Sequence, residues 1–355
     1  MNDFKDLFVQ HGKFKEDEDD DDILNNNGTN AIRFCLAIEQ STSERVICKV
    51  FDPMVLQKDM GTEDRAIDFR WYRQLMLLRE ALILKELDHP TIVKFKGLDL
   101  YNTDIKYDEE DDDPSHPNPI IYLEFLENKS IQSHINRSKL DLKPVQRQIC
   151  ILGICAAVRF LHSRHVLHRS INPKTIWLDD NFYPKVFDFS TSREFDVSKD
   201  APKTTLTDDA TYYKAPELFE EGFNLYKDEI DIFSLGRMIY LMVTGYEPFK
   251  LDDDPSRKYA SFKLQAEIVK GVLPIIPSNV SPKYRELLEC CCNLNPDDRP
   301  TASEIYEAIS KDEDFLIAKF TEKELKEIDD YKHKIEQFEK DHPISNDFFC
   351  YKLQL

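Results

Sequence analysis

Residues 168–190 read H-R-S-I-N-P-K-T-I-W-L-D-D-N-F-Y-P-K-V-F-D-F-S. The stretch follows a helical run, V-R-F-L-H-S-R-H-V-L at 158–167, and its first eight residues contain no carboxylate. What lies on either side of it decides the fold. Upstream of about residue 126 the apolar residues alternate as in strands: I-R-F-C-L-A-I (32–38) and R-V-I-C-K-V-F (45–51) flank the polar turn S-T-S-E. Two further strands are predicted in I-V-K-F-K-G-L-D-L (92–100) and P-I-I-Y-L-E-F (119–125). A helix is predicted over 64–88, where Leu75, Leu78, Leu82 and Leu87 recur near helical spacing.

Downstream the period changes to that of helices. Apolar helices are predicted over 145–163 and about 229–244, with shorter ones near 284–293 and 302–310. T-E-K-E at 321–324 is a capping box, with Thr321 as N-cap and Glu324 at N3. Leu325, Ile328, Tyr331, Ile335 and Phe338 then share one face, which predicts a helix that docks. No internal repeat is visible. A small, mostly β part precedes a larger, mostly α part.

The chain has 355 residues, 41% hydrophobic and 32% charged, enough for two packed units or one two-lobed domain. A net charge of −20 argues against broad contact with nucleic acid or an anionic membrane. Much of it lies in E-D-E-D-D-D-D (16–22) and D-E-E-D-D-D (108–113), which read as solvated loops or tails. None of the eight cysteines belongs to paired C-x-x-C motifs, and the adjacent Cys290, Cys291 and Cys292 point different ways from a helix, as small core residues would. M-N-D-F-K-D lacks the apolar core of a signal peptide. The apolar runs 149–161 and 230–244 carry Arg159, Asp231 and Arg237 and read as too short to span a bilayer. A reducing setting, cytoplasmic or nuclear, is expected.

Seven stretches, in order, carry a resemblance: V-I-C-K (46–49), R-E-A-L-I-L-K-E-L-D-H-P (79–90), Y-L-E-F-L-E-N-K-S-I (122–131), D-F-S (188–190), A-P-E (215–217), D-I-F-S-L-G (231–236) and N-P-D-D-R-P-T (295–301). Over roughly residues 23–312 the chain resembles the eukaryotic protein kinase family. Pro173 and C-C-N-L-N-P-D-D-R-P-T resemble its serine/threonine, tyrosine-kinase-like members. The resemblance implies an α+β bilobal fold, with a small antiparallel N-lobe holding one main helix and a larger helical C-lobe. The expected divisions are an acidic N-terminal arm (1–22), N-lobe (23–125), C-lobe (126–312) and helical tail (313–355). It implies that Lys49 binds phosphates, that Glu80 is its ion-pair partner, that Leu123 and Glu124 lie at the hinge, and that Asp188 binds metal. Structural roles fall to His168, Arg169 and Phe189, the first and last forming with Leu84 a column between lobes. Asp231 would anchor the catalytic-loop backbone, and Glu217 would pair with Arg299. Thr204, Thr205 and Thr207 would fall in the activation segment.

The departures sit where the chemistry belongs. Phosphoryl transfer requires charge neutralisation and a group that takes the substrate hydroxyl proton. Ser170 replaces the family's aspartate, and a hydroxyl has no useful basicity at neutral pH. Asn172 replaces a lysine, so the transition state loses a positive charge. Thr175 replaces a metal-binding asparagine, and Ala210 replaces a threonine of the same network. Ile47 and Trp177 stand at the roof and floor of the adenine slot, where the family carries alanine and leucine. Overpacking a close-packed slot costs ~1–3 kcal/mol, so a crowded slot is expected. The glycine-rich loop is degenerate: its three positions fall on Asn25, Asn27 and Asn30, or counting back from Lys49 on Asn27, Thr29 and Ile32. Gly28 occupies none of them.

Three functions are consistent with this pattern. The first is a pseudokinase that binds protein partners, requires no cofactor and has impaired ATP binding. The second is a weakly active serine/threonine kinase using Mg-ATP; the third is a non-catalytic nucleotide sensor.

Overall fold

The alternating residues around Lys49 fold as a five-stranded antiparallel sheet. In chain order its strands are β1 (Phe14–Glu16), β2 (Ile32–Glu39), β3 (Arg45–Phe51), β4 (Phe95–Asp99) and β5 (Ile120–Glu124), hydrogen-bonded in the order β1-β2-β3-β5-β4. The computed structural model describes residues 9, 13–16, 32–51, 63–100, 119–194, 208–219, 227–249 and 261–343. Two units result: 1–88 with 93–126, and 89–92 with 127–355. Among the described residues, the first holds the antiparallel sheet and one helix and the second is mainly helical, which is the α+β architecture expected.

Successive strand residues point to opposite faces, and both faces of this sheet are buried. Ile47 and Lys49 share one face with their cross-strand partners Leu123 and Ile121. The other carries Cys35, Ala37, Val46, Cys48, Val50, Ile120 and Tyr122, covered by Phe14 and Val9. Phe14 stacks on Tyr122 with ring centroids 4.1 Å apart. Val9 donates its N–H to the carbonyl of Leu98 at 3.0 Å and lies over Gly97, whose φ of +147° favours glycine. A Cβ there would collide with Val9 Cγ1. The span expected as an N-terminal arm thus contributes a strand and a cover. The acidic run that begins at Glu16 connects two paired strands instead of preceding the sheet.

Helix α1 spans Glu63–Glu86. Its buried side is Leu77, Glu80, Ala81 and Leu84, while Leu75, Leu78 and Leu82 are only partly covered. Leu87, just past the end of the helix, is buried. Glu80 belongs to the buried face because it meets Lys49 there.

The second unit is built on α2 (Pro144–Ser163), against which α3 (Glu229–Thr244), α6 (Ala302–Lys311) and α7 (Glu322–Asp341) pack; α5 (Pro282–Cys291) adds to α3. α4 (Ser261–Val269) was not anticipated, although Leu264 and Ile268 are buried at helical spacing. Three two-stranded pairs complete the unit: β6 (Ile135–Asn136) with β7 (Lys139–Leu140), β8 (Val166–Leu167) with β11 (Arg193–Glu194), and β9 (Ile176–Leu178) with β10 (Pro184–Val186). α2 has 20 residues, longer than the apolar run suggested and long and apolar enough to cross a membrane, but most of it is buried inside the unit. The reading of that run as too short is therefore corrected. α7 docks on this same unit: Ile328, Tyr331 and Ile335 are buried, whereas Leu325, expected on that face, is 37% exposed. Its capping box is formed, Thr321 Oγ1 accepting from the N–H of Glu324 while Glu324 accepts from the N–H of Thr321.

Candidate functional site

In the first unit, β3 and α1 bring Lys49 and Glu80 together. Lys49 Nζ donates to Glu80 Oε1 at 2.8 Å and Oε2 at 2.6 Å, and neither side chain is exposed. Such a pair offsets its desolvation only with good geometry, and contact with both oxygens supplies it. Ile47, two residues before Lys49 on the same face, is fully buried opposite Leu123. Glu124 is tied to Lys94 twice, accepting from its N–H at 2.7 Å and donating its own N–H to its carbonyl at 3.0 Å. Leu84 is buried in this unit. Asn25, Asn27, Gly28, Thr29 and Asn30 lie outside the described residues, as do the acidic stretch 108–113 and Thr204, Thr205 and Thr207.

In the second unit, the loop after β8 is held by Asp231 from the first turn of α3. Its two carboxylate oxygens accept the N–H groups of His168 and Arg169, both at 2.7 Å, and His162 Nε2 lies 3.3 Å from Oδ2. Burial works to raise the Asp231 carboxyl, but the hydrogen bond and charge of His162, with His168, outweigh it and hold the group below its ordinary value. Arg169 and Asp188 have φ of 68° and 62°, a left-handed backbone uncommon outside glycine. His168 Nε2 donates to the Phe187 carbonyl at 3.2 Å, and its ring meets Phe189 edge-on at 4.9 Å. Arg169 Nη1 donates to the Thr191 carbonyl at 3.4 Å. Arg299 donates to both oxygens of Glu217 at 2.6 and 2.9 Å, and to the Glu229 carbonyl.

The residues that replace the family's catalytic groups bond to one another. Asn172 Nδ2 donates to the Ser170 carbonyl (2.9 Å) and to Ser170 Oγ (3.1 Å). Thr175 Oγ1 lies 2.5 Å from the Ser170 carbonyl and accepts the Asn172 N–H at 3.1 Å; Asn172 Oδ1 accepts the Lys174 N–H at 2.9 Å. Asn172 and Thr175 are buried. The loop is closed on itself. Ala210 falls in a 3-10 turn, Asp208–Tyr213.

Asp188 is engaged too: Ser190 Oγ donates to its Oδ1 at 2.7 Å and the Ser190 N–H reaches the same oxygen at 3.3 Å. The sequence did carry this signal, a hydroxyl two residues after the acid. Trp177 is 6% exposed, donates Nε1–H to the Lys174 carbonyl at 3.0 Å, and stacks on Phe187 at 4.5 Å. It is fixed within its own unit by both contacts.

Mg-ATP is the cofactor that the resemblance implies. Of the donor set it would need in the second unit, the Thr175 hydroxyl is committed to the loop and Asp188 Oδ1 to Ser190.

Residues 34–309 match the protein kinase domain. Among known proteins, the chain is 27% identical over 273 residues to the serine/threonine-protein kinase STY46 of Arabidopsis thaliana, covering 76% of this chain and 40% of that protein. It is 30% identical over 233 residues to the cell cycle serine/threonine-protein kinase CDC5/MSD2 of Saccharomyces cerevisiae, covering 66% and 30%. To the MAP kinase kinase kinase mkh1 of Schizosaccharomyces pombe it is 26% identical over 230 residues, covering 64% and 19%. The chain thus spans less than half the length of these relatives.

Proposed function

The chain belongs to the protein kinase domain family, and from that premise we propose that it is a pseudokinase of the serine/threonine, tyrosine-kinase-like type. In this reading it works by binding protein partners in a cytoplasmic setting, with no nucleic-acid or membrane partner and no required cofactor. The observation that carries it is the closed loop of Ser170, Asn172 and Thr175, whose polar groups are spent on one another. Loss of a general base alone costs ~10²–10⁴-fold in rate, and the missing positive charge and metal ligand add to that. Ile47 and the fixed Trp177 support impaired adenine binding, each being buried in its own unit.

The formed Lys49–Glu80 pair favours a second reading, a weakly active serine/threonine kinase. Transfer of labelled phosphate to a generic protein substrate separates the two. The pseudokinase reading expects none, and incorporation abolished by Lys49→Met and by Asp188→Ala would sink it. Titration with ATP, with and without Mg²⁺, tests for a nucleotide sensor. A thermal shift following RT ln(1 + [L]/Kd) with a micromolar constant would overturn impaired binding. Trp177→Leu combined with Ile47→Ala is expected to create or strengthen that shift.

A further inference from the structure

α7 begins after the family match ends at residue 309, yet its last turns contact His89, far earlier in the chain. Tyr331 sits against Gly153 and Pro184, where a Cβ on Gly153 would strike the Tyr331 hydroxyl. Two turns further on, both oxygens of Glu339 lie 2.6 Å from Arg159 Nη2 on α2, and Oε1 is 3.4 Å from His89 Nε2. His89 is held on every side. Its ring stacks on Phe160 at 4.4 Å and meets the edge of Phe338 at 5.6 Å. Its Nδ1 lies 2.7 Å from Thr91 Oγ1 and accepts the Thr91 N–H at 3.3 Å, and its Nε2 faces Glu339.

His89 in turn sets the local backbone. The Ile92 N–H donates to the His89 carbonyl at 3.0 Å, and the Val186 N–H to the Thr91 carbonyl at 2.8 Å. His89–Ile92 belongs to the second unit, although the chain on both sides of it belongs to the first. Residue 89 is three positions beyond the end of α1, the helix that carries Glu80.

We propose that α7 is a latch: through Glu339 it fixes His89 and so the segment His89–Ile92, making the C-terminal helix an in-cis regulator of the connection that follows α1. An exposed carboxylate making a lone ion pair with a surface arginine would be worth little. Glu339 is different because it joins two elements, α2 and the 89–92 segment, through one side chain half withdrawn from water. The latch stands whether or not the protein transfers phosphate.

Amide hydrogen exchange on the full chain tests it. Glu339→Ala is expected to speed exchange at Ile92 and Val186 on the order of tenfold, a local opening. The Leu87 amide, which bonds to Leu84 at the end of α1, is expected to follow, while amides inside α3 keep their protection. Glu336→Gln, exposed on the outer side of α7, should leave all of them unchanged. Unchanged exchange at Ile92 and Val186, or an equal rise throughout the second unit, would overturn the latch. If Glu339→Ala does not fold, Glu339→Gln is read by the same criteria.

Discussion

The Lys49–Glu80 pair and the 170–175 loop are both parts that the family uses for phosphotransfer, and they have fared differently. The pair keeps two charges at hydrogen-bond distance with no solvent access. The loop has exchanged its charged groups for hydroxyls and an amide that bond locally. Burial explains the contrast. A buried ion cannot lose its partner without leaving an uncompensated charge, whereas a catalytic carboxylate serves a substrate and its loss leaves nothing in the fold unpaired. Persistence of the pair is therefore weak support for catalysis. Replacement of the loop residues speaks more directly to function.

Stability measurements on single variants can break or sharpen this contrast. Glu80→Ala should be the most damaging, costing about 3–5 kcal/mol in chemical denaturation because it removes one side of a buried ion pair; a cost near zero would mean that the pair has no structural role. Asp231→Asn comes next, at about 1.5–3 kcal/mol, because an amide offers one acceptor oxygen where two N–H groups are bonded to a charged carboxylate. It also has a pH signature. The folded Asp231 carboxyl lies below its ordinary value, so its stabilisation is present above the unfolded value of about 3.9 and lost as pH falls through the folded one. Asp231→Asn should flatten that acid limb. Thr175→Val, which deletes the hydroxyl and leaves the buried Asn172 N–H without its acceptor, should cost about 1–3 kcal/mol. Ser170→Asp should fall within about 0.5 kcal/mol of the parent, and a loss above about 2 kcal/mol would show the loop to be as constrained as the pair.

Much of the frame was legible because it rests on periodicity. The alternation around Lys49 yielded β2, β3 and β5, and the apolar run 229–244 yielded α3 with its observed ends. β1 was missed because three residues, F-K-E, carry no period; only pairing with β2 makes them a strand. The helix of α1 was legible from its leucine spacing, but its buried face, Glu80 beside Leu77 and Leu84, was not, because a glutamate does not count as apolar. At the site, residue identities could be read from the sequence, and so could the serine at position 170. The closure of the loop could not, since it depends on where the Asn172 amide and Thr175 hydroxyl point once Asp231 has fixed the backbone. Nor could the reach of Glu339, 250 positions beyond His89, to that residue.

The seating of Val9 on Gly97 has a practical consequence for any shortened form of the protein. β1 shields the free side of β2, and Val9 donates to the outer side of β4, so the residues before the family match cap both margins of the sheet. A chain trimmed to residues 34–309 would bare two unsatisfied edges together with the apolar face around Tyr122 and Val50. Open edges beside exposed apolar surface recruit further strands from other molecules. Such a fragment is expected to self-associate in light scattering where the full chain does not, and adding back residues 9–33 should suppress it.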